Sequence, residues 1–236
     1  MTDGAGQPVQ GRRLLIVLMG LDGSGKSTQA ETIARQLTEK GVRTDVVWLR
    51  GESYVTRPVL KIAKGLLRAP RGKKRGEAET PEAYQKYVSG KRSMFRSGLA
   101  REAWRNLVLV DFYITYRLAF SKIDKRARVV ILDRYLYDSL IDIATAFGSG
   151  PDEVKRLLGS WRTRAFPRPD RVILLDLEPA EAIKRKDDIP SMDYLEERHG
   201  LYRALASELH ATVVDASQPV GQVAASIKDA VADLIV

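Results

Sequence analysis

A chain of 236 residues can bury a sizeable core without covalent staples, and this one has no cysteine, so disulfides, thiolate metal sites and cysteine nucleophiles are excluded. Two histidines, His199 and His210, are too few for a histidine-based metal centre. The formal charge of +9, from 39 basic and 30 acidic residues, suits anionic ligands without choosing among nucleotides, sugar phosphates and nucleic acid.

In chain order, residues 1–11 are polar, lack the apolar region of a signal peptide and read as a disordered tail. No apolar run approaches the roughly 18 residues of a membrane span, so a cytoplasmic protein is expected. Five short apolar runs follow, at 13–19, 44–49, 128–132, 171–177 and 212–215. They are continuous rather than alternating, as strands covered on both faces are. Helical patterns fill the gaps at about 26–40, 58–68, 81–122 (as two helices), 135–147, 151–158, 179–186, 191–210 and 219–235. Strand–helix alternation predicts an α/β protein with a doubly wound parallel sheet, whose ligands bind beyond the carboxyl ends of the strands. One domain over 12–236 is expected.

The first apolar run leads into Gly20-Leu21-Asp22-Gly23-Ser24-Gly25-Lys26-Ser27, which matches G-x-x-x-x-G-K-[ST]. The glycines let successive N–H groups turn toward phosphate oxygens, and the next helix adds its positive end. Gly20, Gly23, Ser24, Gly25, Lys26, Ser27 and Thr28 are therefore the candidate nucleotide-binding residues. Lys26 is expected on the β and γ phosphates of ATP, and the Ser27 hydroxyl on Mg²⁺. No Asn-Lys-x-Asp stretch is present to read guanine. The third apolar run ends "VVILDRY", with Arg134 after Asp133 where a hydrolytic ATPase would place a glutamate. An arginine there suits a second anion better than the activation of water, which indicates a kinase.

Together these segments resemble the thymidylate kinase family over most of the chain. "GLDGSGKSTQAETIARQL" is similar to its P-loop and first helix, and "VVILDRYLYDS" to its Asp-Arg-Tyr segment. "FPRPDRVILLDLEPAEAIKRK" resembles its Pro-Asp strand and lid helix, and "VVDASQPVGQVAASI" its last strand, adenine-side loop and closing helix. The resemblance implies a three-layer P-loop fold with a five-stranded parallel sheet flanked by helices, a mobile lid at about 184–193, and a homodimer. It implies roles for Asp22 (Mg²⁺ and the acceptor phosphate), Asp133 (Mg²⁺ and its water), Arg134 and Arg50 (the acceptor phosphate), and Ala216, Ser217 and Gln218 (packing on adenine). Family members with glycine at the Gly23 position carry the catalytic arginine in the lid. Of Lys184, Arg185 and Lys186, Arg185 is the expected cation.

The acceptor side departs from that family. "RGESYVTRP" stands where Glu-Pro-Gly-Gly is usual, with Glu52 and Arg57 as partial substitutes. Asp111-Phe112 stands where an Asp-Arg pair is usual, and "IDIATAF" lacks a Tyr-Gln. Asp111, Tyr113 and Arg117 are the replacement candidates for acceptor binding. Tyr113, Tyr116 and Arg117 share a helix face, which Asp111 does not. The leading expectation is an ATP- and Mg-dependent transfer of the γ-phosphate to a nucleoside monophosphate, with dTMP as the default acceptor. The alternative within the same fold is a nucleoside, sugar or other metabolite as acceptor. A reading of another class is a nucleotide-gated regulator that contacts nucleic acid through the basic run 68–77. It is disfavoured, because no nucleic-acid module is present and the basic residues are spread along the chain.

Overall fold

A computed structural model describes residues 12–49, 54–56, 58, 59, 61, 97–186, 189 and 191–235. Its centre is one five-stranded parallel sheet of β1 (Leu14–Gly20), β2 (Thr44–Trp48), β3 (Val129–Asp133), β4 (Arg171–Asp176) and β5 (Thr212–Asp215), in the order β2-β3-β1-β4-β5. Parallel strands need crossovers, and helices supply them. Among the described residues these are α1 (Lys26–Glu39), α2 (Gly98–Ser121), α3 (Leu136–Phe147), α4 (Pro151–Leu158), α5 (Pro179–Arg185), α6 (Met192–Glu208) and α7 (Val220–Val231).

β1 lies between β3 and β4, with Leu14 opposite Val129 and Ile16 opposite Arg171. The chain leaves β1 toward β2 on one side and leaves β4 toward β5 on the other. The sheet therefore opens at the carboxyl ends of β1 and β4, where such folds bind ligands. Every residue of β3 is buried, as are the last six of β1, which explains their continuous apolar sequence. α1 packs on β2, β3 and α7; α3 packs on α2, α4 and α6. α3 is buried nearly all round, with Leu140, Ile141 and Ala144 at 0% exposure.

The predicted elements that fall on described residues form where expected, mostly within one or two residues at the ends. α7 stops at Val231 and gives way to a 3-10 turn, Ala232–Leu234, short of the expected end at 235. Of the helical stretch 81–122, only Gly98–Ser121 falls on described residues, and most of 58–68 lies outside them, as does the basic run 68–77. The expected lid runs from the last turn of α5 to the first turn of α6, with 187, 188 and 190 outside the described residues.

Candidate active site

The loop between β1 and α1 is shaped by positive φ angles that only glycine adopts easily: Gly20 at 148°, Gly23 at 90° and Gly25 at 86°. Two of these also sit against neighbouring backbone. A Cβ on Gly20 would meet the Leu175 carbonyl at 2.5 Å, and one on Gly23 would meet the Ala182 carbonyl at 2.9 Å. The second contact seats the loop directly on α5, and it leaves no room for a side chain at position 23. The Lys26 ammonium is buried inside the loop, donating to the Gly20 carbonyl at 2.8 Å and the Leu21 carbonyl at 2.6 Å, with Ser24 Oγ at 3.4 Å. Burial, and next the nearby Arg134 cation, lower its pKa to about 8.

Ser27 lies in the first turn of α1 and its hydroxyl donates to Asp133 Oδ2 at the end of β3. The other carboxylate oxygen, Asp133 Oδ1, is buried with no hydrogen-bond partner among the described residues. A buried carboxylate oxygen without a donor is costly, and a divalent cation answers that cost. The Ser27–Asp133 pair thus fits Mg²⁺ at a phosphate cradle.

Arg134 follows Asp133 with φ at 69°, a conformation that costs a non-glycine residue about 1–3 kcal/mol and that turns its side chain back toward the loop. Its guanidinium pairs with Asp22 and lies 3.6 Å from Asp138 Oδ1. Burial opposes that cation, but Asp138, Tyr202 and Asp22 outweigh burial and raise its pKa. Asp138 is itself held from two further directions. Its Oδ2 accepts the Tyr135 N–H at the start of α3 (3.1 Å), and its Oδ1 accepts the Tyr202 hydroxyl of α6 (2.6 Å).

The adenine-side candidates lie after β5. The Ala216 N–H donates to the Asp176 carbonyl at 2.8 Å, which ties this loop to the end of β4. Asp215 accepts from the Ser217 N–H (2.9 Å) and from Gln218 Nε2 (2.8 Å), while Ser217 and Gln218 stay exposed. Arg185, in the last turn of α5, donates to the Ala216 carbonyl at 3.0 Å and reaches the Ser217 carbonyl at 3.5 Å. Lys184 faces outward and pairs with Glu181. Of the three expected lid cations, Arg185 is thus placed on the adenine-side loop.

The acceptor-side candidates divide. Arg50, Glu52 and Arg57 lie outside the described residues. Asp111 accepts from the N–H groups of Val55 (2.8 Å) and Thr56 (3.2 Å), so it anchors the segment after β2 to α2. Phe112 is buried among Tyr135 and Phe166, with ring centres at 6.2 and 5.5 Å. Tyr116 is buried with them, its ring tilted against Phe120 at 4.2 Å. Tyr113 is 36% exposed at the rim of this cluster, and Arg117 is exposed. The shared face of Tyr113, Tyr116 and Arg117 is therefore split, one ring entering the core and the cation remaining outside.

The sequence reading passed over four residues that the fold brings to the site: Asp138 and Asp142 of α3, and Arg198 and Tyr202 of α6. A signal was present. Two carboxylates spaced i, i+4 interrupt an otherwise apolar helix, and a helical Arg-Tyr pair has the same spacing. Buried polar groups demand partners: Asp138 meets Tyr202, and the buried Arg198 pairs with the partly exposed Asp142.

A family model described as thymidylate kinase matches residues 92–227. A probable thymidylate kinase of Archaeoglobus fulgidus is 27% identical over 91% of this chain and 93% of its own length. One from Methanobrevibacter smithii is 25% identical over 93% of this chain and 94% of its own. Another, from Methanocaldococcus jannaschii, is 28% identical over 87% of this chain and 88% of its own.

Proposed function

The chain belongs to the thymidylate kinase family and is a P-loop kinase, and from that premise we propose that it moves the γ-phosphate of ATP to a nucleoside monophosphate, with dTMP as acceptor. One observation carries the proposal. Lys26, Ser27, Asp133 and Arg134 converge at the carboxyl ends of β1 and β3, with two cations and one unsatisfied carboxylate oxygen around a glycine cradle. The names of the three relatives support dTMP in particular.

Phosphoryl transfer depends on positioning and on cations around the migrating group. Lys26 would exchange the loop carbonyls for β- and γ-phosphate oxygens, joined by the N–H groups of Gly23, Ser24, Gly25, Ser27 and Thr28. Ser27 and Asp133 would hold Mg²⁺, which when bound neutralises charge on the phosphates. Arg134 would leave Asp22 for the phosphate of the acceptor, bringing acceptor and donor into line. Asp22 then orients the groups between them. Arg185, Ser217 and Gln218 would enclose the adenine end, and Arg50 would be a second grip on the acceptor. Tyr113, at the rim near Phe166, and Arg117 would contact the acceptor's nucleoside part, and Asp111 would hold Val55 and Thr56 beside them. A cytoplasmic homodimer is part of the same reading.

The deciding experiment is ADP release with ATP and Mg²⁺ across nucleoside monophosphates, nucleosides and sugar phosphates. dTMP should stimulate release most, and Lys26→Ala should abolish turnover while the protein still unfolds cooperatively on heating. The apolar surroundings of Phe112 favour one second reading, a different phosphorylated acceptor, which would appear as another compound outpacing dTMP.

A further inference from the structure

A chain of buried polar contacts runs away from Arg134 into α6, and the transfer chemistry makes no direct use of it. Tyr202 is 1% exposed, and its hydroxyl lies 2.6 Å from Asp138 Oδ1 and 3.3 Å from Arg198 Nη2. Arg198 is 2% exposed, pairs with Asp142 of α3, and lies between the rings of Tyr194 (5.3 Å) and Tyr202 (5.6 Å). A guanidinium only donates. Arg198 therefore occupies a lone pair of the Tyr202 oxygen, and the single tyrosine proton is directed to Asp138. The result is a relay with a fixed sense, Arg198 to Tyr202 to Asp138.

Asp138 Oδ1 thus has two suitors. It accepts a short bond from Tyr202 and stays 3.6 Å from the Arg134 guanidinium, beyond hydrogen-bond distance. We propose that Tyr202, oriented by Arg198, is a positioning residue that holds Asp138 back from Arg134, so that the arginine has its pair with Asp22, and not a second direct pair with Asp138, to break on its way to the acceptor phosphate. Without the hydroxyl, a buried carboxylate short of a donor draws the nearest cation into a direct pair. Arg134 would then have to break that pair before engaging the acceptor. The inference rests on the assignment of Arg134 to the acceptor phosphate.

Tyr202→Phe tests it. The KM for dTMP should rise about tenfold, the size expected for one charge-assisted hydrogen bond. The KM for ATP should stay within about twofold and kcat within about threefold, because among the described residues no donor-side group hydrogen-bonds Asp138. Asp138→Asn removes the competing charge, so in that background Tyr202→Phe should add nothing. A normal dTMP KM in the single variant, a joint loss of dTMP and ATP affinity, or additive effects in the double variant would overturn the proposal. A wild-type enzyme indifferent to dTMP would instead overturn the functional reading. In that case the guanidinium N–H signal of Arg134 in an NMR spectrum, assigned by its loss in Arg134→Lys, decides. It should move in Tyr202→Phe and not in Tyr194→Phe, and an unmoved signal counts against the relay.

Discussion

Lys26 carries the sharpest residue-scale consequence. Its ammonium is enclosed by the loop that should hold ATP, and burial lowers its pKa to about 8. Phosphate oxygens favour the charged form, so ATP binding takes up a proton once the pH exceeds that value. The KM for ATP should be flat below about pH 8 and rise roughly tenfold per pH unit above it, measured by ADP release at saturating acceptor. Stability moves the other way. The unfolded chain keeps the lysine proton up to about pH 10, so from about pH 8 upward this group makes the folded state more favourable as pH rises. Urea midpoints that fall across that window in the wild type but not in Lys26→Ala would contradict the assignment. Arg134 needs no such titration, since burial is outweighed by Asp138, Tyr202 and Asp22 and it stays charged throughout.

α5 is the element that connects the glycine loop after β1 to the loop after β5. Its Ala182 carbonyl rests against Gly23, and its last turn sends Arg185 to the carbonyls of Ala216 and Ser217. One short helix thus touches both the glycine loop after β1 and the loop after β5. An arginine held on that loop serves ATP binding first, so Arg185→Ala should raise the KM for ATP about tenfold and lower kcat less than tenfold. A hundredfold fall in kcat at unchanged ATP KM would return Arg185 to the transferred phosphoryl group, in line with the size of such electrostatic losses. The contact at Gly23 also leaves no room for a side chain at that position. Any side chain would have to displace the α5 backbone.

At the scale of the whole molecule, the site is held by the sheet and by α3, whose Asp138 faces Arg134. Leu140, Ile141 and Ala144 are fully buried on α3, which packs on α2, α4 and α6, and Asp138 and Asp142 ride on the same helix. Leu140→Ala should cost about 2–5 kcal/mol in urea unfolding with an unchanged m-value, because the surrounding backbone relaxes only in part. Activity below the unfolding transition should be close to normal, since Leu140 touches the site only through packing.

Much of this was legible in the sequence. The five strands announce themselves as apolar runs because a parallel sheet buries both faces. The cradle is legible because glycine, lysine and serine at those spacings answer a local need of the backbone. Asp133 and Arg134 are legible because they end a strand whose carboxyl end must face the ligand. Three further facts were decided only by tertiary structure. Asp111 anchors a neighbouring segment rather than facing outward, Tyr116 turns into the core while Arg117 does not, and Asp138 meets Tyr202 across 64 residues of chain. Local spacing says which residues share a turn or a face. Which face is covered, and which buried carboxylate meets which hydroxyl, depends on how the crossovers lay α2, α3 and α6 against one sheet.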